Sequence, residues 1–158
     1  MSAVFYRIDD RLVHGQIMTA WAKVLRIGRI IVVDSATAKN SFLAQVMQMS
    51  VPNEYTLHVC ESGEGAELIR ALAPDEHALV LAKTPAVMKE LFLAGVEMKE
   101  LNVGGMGARG GRKIVARGVL VDEAELQTLK ELVGAGVRVY CQSVPDVKPV
   151  EITADAKI

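Results

Sequence analysis

The chain has little of what several function classes require. Its two cysteines and three histidines are scattered over 158 residues, so neither a zinc site nor a disulfide framework finds its ligands. Cys60 and Cys141 fall in apolar runs and read as small core residues of a reducing compartment. No apolar run reaches the roughly 18–20 residues that span a bilayer. The N-terminus shows neither a basic leader nor a following apolar stretch, so a cytoplasmic protein is expected. A net charge of −1 offers no broad basic surface for nucleic acid. No repeat, low-complexity tract or linker interrupts the chain, and its length suits a single domain over residues 1–158.

What is present alternates between two periodicities. Ala3–Ile8, Arg29–Val33, Tyr55–Cys60, Ala78–Ala82, Glu100–Val103 and Val137–Cys141 are short aliphatic runs without strict alternation, as strands buried on both faces require. Helical spacing lies between them: Ile17, Ala20, Trp21, Val24 and Leu25 before Gly28; Leu43, Val46 and Met47 before Pro52; Leu68, Ile69 and Leu72. Thr84-Pro85 reads as a hydroxyl cap with proline at the first helical position. Asp122 and Glu125 read as a capping box ahead of Leu126, Leu129 and Leu132. The repeated β-α order predicts an α/β domain, a doubly wound, mostly parallel sheet with helices on both faces. Gly104–Gly118 reads as a long loop with a short strand near Lys113–Ala116, and the residues beyond Pro149 as an extended piece or a frayed end.

In such sheets ligands bind outside the carboxyl ends of the strands. Those ends carry Asp9, Asp10, Arg11 and His14; Asp34 and Ser35; Lys83 and Thr84; Gly104 and Gly105; Gln142 and Ser143. His14 would lie on a loop at a helix N-terminus, where backbone N–H groups attract anions, and neutral imidazole can accept and hand on a phosphoryl group. Asp10 or Asp9 would hold its second ring nitrogen, or else cap the helix and solvate the loop. Arg11 would offset phosphoryl charge, or else form a surface ion pair. Gly15 would admit a close approach to the backbone, and Gln16 would donate to a phosphate oxygen. Asp34, Ser35, Lys83 and Thr84 are further candidates, Thr84 mainly as a helix cap. His58 reads as packed in its strand and His77 as solvated. Met47, Met49, Met88 and Met98 read as core ahead of a partner-facing surface.

Gly105-Met106-Gly107-Ala108-Arg109-Gly110 matches G-x-G-x-x-G in form. No amphipathic helix follows it, and Gly110 is not followed by Lys-Ser/Thr, so neither dinucleotide nor P-loop binding is supported. Arg109, Arg112 and Lys113 read instead as a flexible basic rim facing an acidic partner or the phosphate.

The string Arg7-Ile8-Asp9-Asp10-Arg11-Leu12-Val13-His14-Gly15-Gln16 resembles the signature of IIB components of the bacterial sugar phosphotransferase system, in its mannose/fructose/sorbose family. Val32-Val33-Asp34, Ala38-Lys39-Asn40, Met49-Ser50-Val51-Pro52, Asn102–Met106 and the stretch from Gly136-Val137 to Val144-Pro145 are similar to further landmarks, extending the likeness over about residues 3–152. The resemblance implies a phosphocarrier. A phosphorylated IIA protein passes its phosphoryl group to Nδ1 of His14, and His14 passes it to a sugar held by the membrane components IIC and IID. It implies peripheral association with that transporter, a covalent phosphohistidine intermediate, and no cofactor, metal or nucleotide. Relatives often carry a further acid where this chain has Ser35, which leaves the roles of Asp34 and Ser35 open. A rival reading keeps the scaffold as a non-catalytic anion- or ligand-binding regulatory module, which would bind an anion without a covalent adduct.

Overall fold

The computed structural model describes residues 3–158. Seven strands form one sheet in the order β3-β2-β4-β1-β5-β8-β9. These are β1 (Ala3–Asp9), β2 (Arg29–Val33), β3 (Thr56–Cys60), β4 (His77–Ala82), β5 (Glu100–Gly105), β8 (Arg138–Cys141) and β9 (Val150–Ile152). Pairing is parallel except for β9, which runs antiparallel along β8 and makes the region beyond Pro149 an edge strand. The sheet is thus the expected mostly parallel α/β layer.

Successive side chains of each strand point to opposite faces, and two apolar cores result. Tyr6, Ile8, Ile31, Val33, Val80 and Val103 meet α4 (Ser62–Arg70), α5 (Pro85–Leu93) and α6 (Glu123–Gly134) on one face. Ile30, Val32, Leu79 and Leu81 meet Leu12, Ile17 and Trp21 on the other. Ile17 and Trp21 belong to α1, which winds as a wider π-turn over Ile17–Trp21 and continues over Ala22–Val24. In the wide turn the Ala22 N–H donates to the Ile17 carbonyl. Such turns are rare and often adjoin functional sites.

Several sequence expectations are corrected. The second helix is present as α3 (Ser41–Ser50), and a short α2 (Ser35–Ala38) not expected from the sequence precedes it; Asp34 and Asn40 each accept a backbone N–H at the start of these helices. Met49, expected in the core, is 81% exposed beside exposed Phe42, and Met47 is only partly buried; no residue of α3 is buried. Met88 and Met98 are core residues. His77 is not free in solvent: its Nδ1 lies 3.1 Å from the Leu25 carbonyl oxygen. Within Gly104–Gly118 the expected short strand is present as β6 (Lys113–Ala116), and it pairs with β7 (Val119–Val121) as an antiparallel hairpin.

Candidate functional site

β1 lies between β4 and β5, where connections leave toward opposite sides of the sheet. Its register against β5 shifts between Ile8 and Asp9, so the strand's last residue is re-aimed. Arg7 and Asp9 share the α1 face and are both fully buried. Arg7 Nη2 donates to Asp9 Oδ2 (3.1 Å) and to the Ser143 carbonyl (3.0 Å). Its Nη1 donates to Asn102 Oδ1 (2.6 Å) and to the Gln142 carbonyl (3.1 Å). The guanidinium lies 5.2 Å from the centroid of the Trp21 ring, whose Nε1–H donates to Ser143 O. Within this guanidinium group, Nε has no hydrogen-bond partner among the described residues.

Glycines make room for this pair. A Cβ on Gly104 would lie 1.8 Å from Arg7 Cζ, and one on Gly105 would lie 3.1 Å from Asp9 Oδ1. Only glycine fits at position 104.

Asp9 is the centre of the histidine loop. Its Oδ1 accepts from the backbone N–H and Nε–H of Arg11, at 3.0 and 3.2 Å. Its Oδ2 accepts from Arg11 Nη2 at 3.3 Å and meets His14 Nε2 at 2.8 Å. Burial pushes this carboxyl up, but the hydrogen bonds from His14 and Arg11 and the charge of Arg7 outweigh it and hold the group below its ordinary value of 3.8. An ionised carboxylate only accepts, so the ring proton resides on Nε2 and the Nδ1 lone pair is free in the neutral imidazole. The His14 side chain is 15% exposed. Leu12, buried beneath the loop, adopts φ 56, a left-handed conformation rare for a branched residue.

Of the two aspartates offered for the second ring nitrogen, Asp9 holds it. Asp10 turns the other way: its Oδ2 accepts from the Gly107 N–H at 2.8 Å. Its side chain therefore ties two loops together, and among the described residues none of its hydrogen bonds reaches the imidazole. Arg11 is 51% exposed and already paired to Asp9. Gly15 borders open space, its carbonyl accepting from Thr19 Oγ1, and Gln16 is exposed.

The remaining candidates form a separate group. Asp34 Oδ2 accepts from the backbone and hydroxyl of Thr37 and lies 3.7 Å from Lys83 Nζ. Ser35 Oγ donates to Glu61. Thr84 stands at the N-cap position ahead of Pro85 without a side-chain capping bond. Among the described residues, none of their hydrogen bonds or ion pairs reaches the histidine loop.

The expected basic rim is also corrected. The Arg112 side chain is 2% exposed and forms a fork with Glu125, Nε to Oε1 at 2.9 Å and Nη2 to Oε2 at 2.7 Å. Arg109 remains at the surface, 3.7 Å from Glu125. The glycine run leads into the β6–β7 hairpin rather than a helix, which removes the structural context of a dinucleotide site.

Arg7 and Asn102 are site residues that motif reading left without roles. Their signal was a charge and an amide inside runs otherwise apolar, where a buried charge demands partners. Among the described residues, no group of three or more His, Cys, Asp or Glu side chains is gathered to hold a metal ion. No helix among them is long and apolar enough to cross a membrane. A broad basin of about 880 Å³, lined by Tyr6, Arg70, Lys99 and Tyr140 among others, opens away from this loop.

Comparison with known proteins agrees over nearly the whole chain. Residues 3–155 match the family model described as PTS system sorbose subfamily IIB component. The mannose-specific EIIAB component of Escherichia coli (strain K12) is 32% identical over 153 residues, 92% of this chain but 46% of that protein, so the chain spans about half its length. The fructose-specific EIIB component of Bacillus subtilis (strain 168) is 30% identical over 146 residues, covering 92% of this chain and 90% of that one. The crystal structure of the PTS system N-acetylgalactosamine-specific IIB component 1 from Escherichia coli superposes with a TM-score of 0.89 at 27% identity, covering 96% of this chain and 99% of that chain.

Proposed function

The chain belongs to the sorbose subfamily of phosphotransferase-system IIB components, and from that membership we propose that His14 carries the phosphoryl group between a IIA protein and a sugar. In the first step the Nδ1 lone pair attacks phosphorus on the donor's phosphohistidine. The Nδ1–P bond forms as the donor N–P bond breaks, and the bonding pair leaves with the donor imidazole. Nε2 keeps its proton, directed at Asp9, whose charge offsets the positive charge the ring acquires. In the second step a sugar hydroxyl oxygen attacks phosphorus, the N–P pair returns to Nδ1, and the hydroxyl proton passes to a base or to solvent.

The observation that carries this reading is the 2.8 Å contact of His14 Nε2 with a buried carboxylate. It supports a single tautomer with Nδ1 as the nucleophile. Arg11 retains N–H groups beyond those on Asp9, and these suit the phosphoryl oxygens. Open space at Gly15 and the first N–H groups of the helix that begins there suit an anion at the same place. Gln16 is a further donor at that helix start. The partners in this reading are a phospho-IIA protein or domain, membrane IIC and IID components, and the sugar they hold, with the chain cytoplasmic and peripheral to the transporter. No cofactor enters either step.

The test is intact mass after incubation with phosphoenolpyruvate, the general phosphotransferase proteins and the cognate IIA. One acid-labile phosphoryl group on the wild type and none on His14→Ala is the expected result. Phosphorylation persisting in His14→Ala would contradict the assignment, and reversible anion binding without an adduct would favour a regulatory module.

A further inference from the structure

Arg112 is a buried cation on a turn that contributes little to the sheet, and it is held on three sides. Its fork grips Glu125, whose Oε1 also accepts the Asp122 N–H in the capping box of α6. Its Nη1 donates to the Gly107 carbonyl at 2.9 Å and lies 3.8 Å from Asp10 Oδ2. Gly107 in turn donates its N–H to Asp10 at 2.8 Å. The residue is thus gripped at both polar ends, its carbonyl by Arg112 and its N–H by the histidine loop. The Asp10 N–H also donates to the Gly105 carbonyl, so two bonds fasten the loop immediately after Asp9.

The hairpin has apolar anchors besides Arg112. Val119, Val121 and Met106 are fully buried in the core beneath α6 and anchor it. What the guanidinium adds is the placement of Gly107 opposite Asp10.

We propose that Arg112 is a positioning residue: anchored on the start of α6, it holds Gly107 against Asp10 and thereby fixes the loop that aims His14. The proposal rests on His14 being the phosphoryl acceptor, but the latch itself has a signature that needs no phosphoryl donor. Lysine cannot replace the arginine, because one ammonium lacks the planar fork that meets Glu125 and Gly107 together.

The experiment compares wild type, Arg112→Met and Arg112→Lys in the full chain. Three readouts are taken: thermal unfolding, amide hydrogen exchange at Gly107, and the kcat and KM of phosphoryl transfer from phospho-IIA. Both variants are expected to unfold cooperatively, to exchange Gly107 faster, and to lose about tenfold in kcat through misaligned approach, with KM within about twofold of wild type. A folded Arg112→Met with wild-type Gly107 protection and wild-type kcat would overturn the proposal. Should Arg112→Met fail to fold, Asp10→Ala removes the other end of the latch, and an unchanged kcat there would overturn it equally. If the wild type takes up no phosphoryl group, the carrier reading fails separately, and Gly107 exchange still decides the latch.

Discussion

His14 Nε2 and Asp9 Oδ2 are 2.8 Å apart, and the carboxylate that holds the ring also accepts from Arg7 and Arg11. One buried anion therefore fixes a tautomer and compensates a buried cation. Its loss acts on stability and chemistry together.

Asp9→Asn leaves the Arg7 charge without its partner in a closed interior. Breaking such a pair costs about 3–5 kcal/mol, read as a fall in the urea midpoint, and the variant transfers phosphoryl groups slowly even where it is folded. Asp9 also gives the wild type an acid sensitivity beyond that of the variant. Asp9 titrates below its ordinary 3.8 in the folded chain, so its stabilisation is complete above about that pH and is lost as pH falls through the lower folded value. Urea midpoints measured from pH 6 downward show this decline in wild type, and a shallower one in Asp9→Asn.

Two glycines of the site separate under the same substitution. Gly104→Ala drives a methyl group into Arg7 Cζ, at 1.8 Å, and is expected to destabilise by at least the 1–3 kcal/mol or so typical of overpacking. Gly15→Ala meets open space, so its stability stays within about 0.5 kcal/mol of wild type. Slower phosphoryl transfer in Gly15→Ala, with thermal unfolding unchanged, is the outcome expected if the incoming group needs that space.

Methionines distinguish the core from the exposed helix. Met88 is fully buried, and Met88→Ala should cost about 2–5 kcal/mol. Met49→Gln changes a side chain that is 81% exposed and should leave the unfolding midpoint nearly unmoved.

The cysteines are inert thiols. Burial pushes Cys60 up to about 11 and Cys141 up to about 12, with nearby glutamates adding to both. Iodoacetamide at pH 8 should leave the native chain unlabelled and modify both residues once the chain is unfolded. Rapid labelling of the native chain would show an opening that the packed sheet does not predict.

The central strands were legible because a buried parallel strand writes an uninterrupted aliphatic run, and six such runs lie within two residues of β1, β2, β3, β4, β5 and β8. β7 and β9, three residues each, are too short to carry a periodic signal. α3 forms where its spacing predicts, yet Met49 is exposed, because helical spacing reports a coherent apolar face, not whether anything covers it. The histidine loop was legible as a string, but the division of labour within it was not. Asp9 and Asp10 are adjacent and chemically identical, and at the end of β1 the one turns inward to His14 and the other across to Gly107. Arg112 looked like surface charge because its partner, Glu125, was already engaged in a capping box, and the sequence does not show that one carboxylate serves both.

The most direct test of the account is to locate the N–P bond by 15N and 31P NMR on the chain phosphorylated by its IIA. One phosphorus coupled to Nδ1 of His14, with Nε2 still protonated, is the expected result. Phosphorus on Nε2, or on any other residue, would contradict it.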